Sequence, residues 1–327
     1  MQKVKTFITG GTGFIGSHLI NYLTNKKNTE IFALIRNLNK LKWLEGLNIH
    51  FLEGNLLSIP SLPSDIDIIF HIAGLTKTNK SGNYYTVNQQ GTASLFQALL
   101  SQKVFPKKII CLSSIAASSP SFNGKPVKEC SPPDPVTPYG KSKLQGEIEA
   151  LKFKDKFSIV IIRVGAVFGP RDKDFLSYFK IINKGILPSV ALKPRLLSFC
   201  YVKDLVKALD LCTQKNLESG EIINIANPTP YTWDEFGQAA GIALGKTLRK
   251  IKFPLPFIYP VSLCSELAGK ISRNPSILNR HKFREMKQQG WIVDTKKATE
   301  KLSFQPQYSL QKAVRETVDW YIEQGWL

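Results

Sequence analysis

Apolar positions in the first half of the chain alternate between short unbroken runs and helical spacing. Val4 to Thr9 is a β-branched and aromatic run that predicts a buried strand, and Phe14 to Leu23 carries the spacing of a helix. Ile31 to Ile35 predicts a second strand and Lys108 to Leu112 a later one, with helical segments between such runs to about residue 168. That alternation predicts an α/β fold built on a doubly wound parallel sheet. Pro170, Gly185, Pro188 and Pro194 then interrupt it, and it returns at Phe199 to Leu211 and Ile222 to Ala226. The expected organisation is a sheet domain of 1–168 plus 196–226 and a smaller second domain of 169–195 plus 227–327.

The turn after the first run is T-G-G-T-G-F-I-G, Thr9 to Gly16. Gly10 permits a tight turn, Gly13 lets a ligand approach the backbone without a Cβ in the way, and Gly16 lets the helix pack on the strand. The N-terminus of that helix offers N–H groups and a positive dipole end to phosphates. A strand, this turn and a helix together predict a Rossmann-type dinucleotide cradle, lined by Gly10, Thr12, Gly13, Phe14, Ile15 and Gly16. The second strand ends on Arg36, where an acid would bind the 2′-hydroxyl of NAD; an arginine can pair with the 2′-phosphate of NADP. The cofactor is therefore NADP or NAD, with NADP favoured.

Y-G-K-S-K, Tyr139 to Lys143, follows Thr137-Pro138, a cap and a first-turn proline. Tyr139 and Lys143, at i and i+4, share one helix face. An ammonium near a phenol favours its ionised form and brings a pKa of about 10 toward the working range. The strand Lys108 to Leu112 delivers Ser113 and Ser114 at its carboxyl end, where open α/β sheets bind ligands.

In this combination the chain resembles the extended short-chain dehydrogenases/reductases, which include nucleotide-sugar epimerases and dehydratases, dihydroflavonol reductases and 3β-hydroxysteroid dehydrogenases. Supporting segments are His71 to Gly74, Asn88 to Thr92, Leu112 to Ser114, Arg163 to Asp172, Tyr201 to Asp204 and the terminal W-Y-I-E-Q-G-W-L. The resemblance implies Tyr139 as general acid/base, Lys143 as its activator and ribose ligand, and Ser114 rather than Ser113 as the group that polarises the substrate oxygen. It implies Asn88 as a support of the active-site backbone, Ala73 and Gly74 as cofactor lining, and His71 as a packing residue. Asn55 stands where relatives carry an aspartate that contacts adenine, so Asn55 and Leu56 are expected near the base. The 4,6-dehydratases of this group place an acidic pair where this chain has Ile115-Ala116, which argues against water elimination. Leu197 occupies a position, seven residues before Asp204, where epimerases carry a diphosphate-binding arginine; Arg195 lies close by, and Arg284 is a second candidate for the substrate. A homodimer through the helices Gly91 to Gln102 and Tyr139 to Phe153 is expected.

Three readings follow. The first is an NAD(P)-dependent epimerase of a nucleotide-linked sugar. The second is an NADP-dependent reductase or dehydrogenase of a hydroxyl or carbonyl substrate. The third, a dinucleotide-binding subunit without turnover, is weakened because such relatives tend to lose the tyrosine or lysine, and both are present here.

Composition adds limits. The 327 residues, 43% of them hydrophobic, suffice for a large core. No apolar run is long enough to cross a bilayer, and the chain begins almost directly with its first strand, so a cytoplasmic enzyme is expected. Five cysteines without C-x-x-C spacing predict free thiols and no metal site. The net charge of +19 comes without an arginine-rich helix or aromatic RNA-binding signature, so no nucleic-acid partner is expected. Basicity peaks between Lys246 and Lys287, around the apolar stretch Ile251 to Val261. That pairing suits a small-molecule substrate that is anionic and partly apolar, or a contact with a membrane surface.

Overall fold

A computed structural model describes all residues except 1, 2, 27, 40, 191–193, 273–275 and 277, together with the side chains of Leu255 and Phe257. The first two residues of the sequence, residues 191–193 of the expected first excursion, Arg273 of the basic stretch and those two side chains thus lie outside the described residues.

The seven apolar runs β1 (Val4–Thr9), β2 (Thr29–Ile35), β3 (His50–Glu53), β4 (Ile68–His71), β5 (Lys108–Ser114), β6 (Ile159–Val164) and β7 (Glu221–Ile225) form one parallel sheet. Its strand order is β7-β6-β5-β4-β1-β2-β3. The expected doubly wound α/β fold is the one observed. A parallel sheet is covered on both faces, so its strands are apolar throughout and alternate residues feed two cores. Ile8, Ala33, Phe70, Ile110 and Ile162 enter one core, while Phe7, Phe32, Ile69, Ile109 and Ile161 enter the other. Strand order reverses between β1 and β4, which opens a crevice at their carboxyl ends.

A third core lies beyond the sheet. The helices Leu176–Asn183, Trp233–Leu244 and Leu310–Glu323 pack around Phe199, Phe236 and Tyr321. Beside them Ile186–Val190 pairs in parallel with Arg249–Phe253. Two segments pack across between the units. Phe199, Tyr201 and Val202 pack into this third core, whereas Ala298, Leu302 and Phe304, around the short helix Lys296–Leu302, pack into the sheet. Sequence position therefore does not follow packing at either segment. Among the described residues no helix is long and apolar enough to cross a membrane.

Candidate active site

The turn after β1 is shaped by steric necessity. Gly10 has φ +76°, a left-handed backbone, and a Cβ there would lie 2.7 Å from both the Cα and the amide nitrogen of Ala73, beyond β4. A Cβ on Gly16 would run into the Gly10 carbonyl. Gly13 differs: its backbone is extended, at φ −79° and ψ 176°, and an added Cβ would meet only the Gly10 oxygen, at 3.2 Å. It caps the helix Phe14–Thr24 without a side-chain hydrogen bond, so the first-turn N–H groups are left for another acceptor. An exposed glycine without a side chain, free donors behind it and a helix dipole suit a pyrophosphate. Phe14 and Ile15 are half-buried and pack toward the third core, while Thr12 is half-buried in the turn.

Gly13→Ala therefore separates folding from binding. The variant folds, because its backbone angles suit alanine, with a small loss of thermal stability from the crowded Gly10 carbonyl and the poorer cap. It binds the dinucleotide about ten-fold more weakly, roughly 1.4 kcal/mol, in a fluorescence titration. Equal affinity would remove the pyrophosphate from this turn.

The ends of β1 and β4 are joined through His71. Thr92 Oγ1 donates to the carbonyl of Asn88 at 2.8 Å, so it accepts from His71 Nε2 at 3.0 Å. His71 Nδ1 consequently accepts from Thr9 Oγ1 at 2.8 Å, and Thr9 accepts from the Ala73 N–H at 3.2 Å. Burial pushes the His71 pKa down to about 3, and the nearby Lys143 charge pushes the same way. This imidazole acts as a neutral strut.

Its titration has a defined sign. Above the unfolded pKa of about 6.5 both states are neutral; below it the unfolded chain binds a proton that the native His71 refuses. Stability thus falls with pH from about 6.5 toward about 3, by about 1.4 kcal/mol per pH unit from this group. Urea unfolding at a series of pH values measures the slope, and His71→Asn should lack this contribution. An unchanged slope would contradict the assignment.

Tyr139 and Lys143 lie on the helix Pro138–Leu151, whose start is capped by Thr137 Oγ1 accepting from the Gly140 N–H at 3.2 Å. Two glycines let this helix sit against backbone. A Cβ on Gly140 would strike the carbonyl of Ala116, and one on Gly146 the carbonyl of Asn88. Lys143 Nζ donates to the Leu112 carbonyl at 2.7 Å and lies 3.6 Å from where a Gly74 Cβ would stand. Because Ala73 abuts Gly10 and Gly74 abuts Lys143, the turn and the helix line one continuous crevice.

The hydroxyl of Ser114 accepts from the Ala116 N–H at 3.2 Å and lies near enough to the Tyr139 phenol to favour its ionised form. Ser113 points the other way and donates to Glu147. Burial pushes the Tyr139 pKa up to about 12 against the opposing effect of the nearby Ser114 hydroxyl, and the carboxylates of Glu285 and Asp174 add to the rise. The sequence led us to expect a lysine-lowered value. In the structure Lys143 spends its hydrogen bond on the Leu112 carbonyl, and burial lowers its own pKa, so the phenol stays protonated near neutrality.

Asn88 lies in a π-helical turn, Thr86–Gln90. Its side chain accepts from the Leu75 N–H at 2.8 Å and donates to Leu75 O and Ser142 Oγ, tying the loop after β4 to the helix that carries Tyr139. Ile115 is buried beside Val127 and Val293, and Ala116 faces Gly140, so neither position offers a proton.

The outer candidates are more dispersed. Arg36 is exposed at the end of β2. Asn55 is exposed, and its carbonyl oxygen accepts from the N–H groups of Leu57 and Ser58 at 2.9 and 3.2 Å, so the oxygen that could face a base already closes its own turn. Leu56 packs on Gly91. Arg195 is half-buried, with its pKa lowered by desolvation, and Arg284 is exposed on the helix Arg280–Lys287; neither pairs with a carboxylate among the described residues.

Sequence reading missed Glu147 and a role for Arg163. Arg163 grips Glu147 through Nε at 3.0 Å and Nη2 at 2.7 Å, both residues being buried. Glu147 continues the Tyr139–Lys143 face at a further i+4, and its charge favours the ammonium of Lys143. That spacing was the available signal.

The sequence model described as the NAD dependent epimerase/dehydratase family matches residues 6–226. A ceramide reductase of Caulobacter vibrioides is 26% identical, over 98% of this chain and 95% of that protein. A UDP-glucose 4-epimerase of Vibrio cholerae is also 26% identical, over 97% and 95% of the two chains. The solved structure of a UDP-glucuronic acid 4-epimerase from Bacillus cereus, in complex with UDP-glucuronic acid and NAD, superimposes with a TM-score of 0.79 at 22% identity and covers 98% of this chain and 99% of that one.

Proposed function

The chain belongs to the NAD dependent epimerase/dehydratase family, and from that premise we propose an NAD(P)-dependent enzyme whose proton chemistry is carried by Ser114, Tyr139 and Lys143. The observation that carries the reading is Lys143 held on the Leu112 carbonyl and beside Gly74, on the wall of the cradle, one helical turn from Tyr139 and with Ser114 near the phenol. Gly10, Gly13 and Gly16 hold the pyrophosphate, Lys143 meets the nicotinamide ribose, and Arg36 favours a 2′-phosphate. A bound nicotinamide supplies or accepts the hydride.

Among the family's reactions we favour one-way reduction of a carbonyl on a substrate with an apolar part. A phenol held protonated is ready to deliver its proton to the oxygen of a reduced carbonyl, while Ser114 polarises that oxygen beforehand. Leu197, in place of a diphosphate-binding arginine, supports a substrate other than a nucleotide sugar, as does the relative named a ceramide reductase that matches nearly the whole chain. Arg195 favours a second reading: desolvated and without a carboxylate partner among the described residues, it would suit the diphosphate of a nucleotide sugar undergoing epimerisation. A homodimer through the helices Gly91–Ser101 and Pro138–Leu151 belongs to either version.

The dinucleotide that co-purifies decides between them. Reduction predicts an exchangeable site that arrives largely empty and oxidises added NADPH when given a long-chain ketone. Epimerisation predicts tightly held NAD and turnover of a UDP-sugar without net cofactor consumption. Retained NAD together with UDP-sugar turnover would displace the reductase reading.

A further inference from the structure

The helix Leu255–Ile271 is inside out. Ile258, Ser262 and Gly269 are its buried positions, and the inward Ser265 is half-buried; the two serines satisfy themselves locally, Ser262 on the Tyr259 carbonyl and Ser265 on Ser276. At 100° per residue, Pro260, Val261, Cys264, Leu267, Ala268 and Ile271 fall within an arc of about 120° on the opposite side. All six are exposed, Leu267 to 58% and Ile271 to 85%, and no charge interrupts the arc. A helix normally turns such a stripe inward. Here the inward side holds Ile258 with Ser262, Ser265 and Gly269, and a longer apolar stripe is presented to the outside.

Exposed basic residues lie on the elements on either side of this helix. Phe253, exposed to 43%, ends the adjoining strand, on which Arg249 and Lys252 find no carboxylate among the described residues; nor do Lys246, Arg284 and Lys287. The helix also roofs the crevice. Asn79, in the loop after β4, donates to its Gly269 carbonyl at 3.0 Å, and Tyr259 packs on Phe283 of the helix Arg280–Lys287 with ring centroids 5.2 Å apart. From that second helix Glu285 reaches the Thr137 hydroxyl, which caps the helix carrying Tyr139.

We propose that this face docks on a lipid bilayer rich in anionic headgroups, with Val261, Leu267 and Ile271 entering the headgroup–acyl boundary and the unpaired lysines and arginines meeting lipid phosphates. An exposed apolar stripe with a basic surround is the chemistry of an interfacial helix; apolar burial and attraction to anionic lipid add. A protein partner of matching shape would need an acidic rim around an apolar groove, whereas a bilayer supplies both features without any specific fold. The inference stands apart from the reaction assigned to the crevice, although an amphiphilic substrate would gain a short path to it.

The test uses the full chain and vesicles of phosphatidylglycerol with phosphatidylcholine, against phosphatidylcholine alone. The protein should sediment with the anionic vesicles, be released by high salt, and bind them about ten-fold more weakly after Leu267→Asp and Ile271→Asp together. In a Cys130→Ser background, an environment-sensitive fluorophore on Cys264, which is exposed on this face, should shift to the blue when anionic vesicles are added. A wild-type protein that stays in the supernatant, a double variant that binds as well as wild type, or an unchanged Cys264 signal would overturn the proposal. A double variant that halves the mass seen by light scattering would instead give the face to a second copy, and would overturn it too. Reduction of a short, water-soluble ketone by the double variant keeps the docking result separate from the fate of the proposed reaction.

Discussion

Tyr139→Phe is expected to lower kcat by about 10²–10⁴-fold, the range in which a positioned general acid contributes, while dinucleotide affinity stays near wild type. Phenylalanine keeps the ring and its contact with Tyr84, whose centroid lies 5.9 Å away, and removes only the phenolic oxygen. The helix cap at Thr137 and the glycine contacts at Gly140 and Gly146 do not involve that oxygen, so the fold has no reason to respond. Single-turnover absorbance at the nicotinamide band measures the chemical step, and a titration measures binding. Full turnover by the phenylalanine variant would remove Tyr139 from the chemistry. Lost binding with unchanged single-turnover chemistry would make it a cofactor ligand only.

Arg163→Met should cost about 3–5 kcal/mol of stability, the range for removing one partner of a buried ion pair. The arginine supplies two donors to Glu147, and no other cation reaches that carboxylate within ion-pair distance among the described residues. Without it Glu147 is left buried with the Ser113 hydroxyl, and its pKa must rise or the segment must open. Replacing both members, Arg163→Met with Glu147→Leu, should recover much of the loss because no charge then remains buried. Denaturant unfolding of the two single variants and the double variant gives the cycle. Additive losses would show that the pair is not coupled.

The two proposals draw on information of different range. The doubly wound sheet was legible because parallel strands are apolar on both faces, and the strand, turn and helix at Thr9 to Gly16 carry their geometry within a few residues. The pairing of Glu147 with Arg163 was not legible, since it joins a helix to a strand 16 residues on and depends on which way Ser113 points. Ser114 was legible only through the family resemblance, since strand alternation alone separates it from Ser113 only once the sheet's two faces are known. Asn55 shows a local competition the sequence does not display: an Asx turn with Leu57 and Ser58 engages its side-chain oxygen and leaves its amide NH2. The helix Leu255–Ile271 defeated the ordinary rule outright, because an apolar stripe in sequence normally marks the side that is buried.

The nearest contacts of Gly140 and Gly146 are main chain, the carbonyls of Ala116 and Asn88, with the side chains of Pro135 and Thr92 further off. The reach of the phenol from that helix is then set chiefly by a close backbone approach. Variation in the surrounding loops can exchange one substrate for another while the reactive oxygen keeps its place. For anyone wishing to retarget this enzyme, that makes the roof and rim the region to randomise, and the two glycines the positions to hold constant.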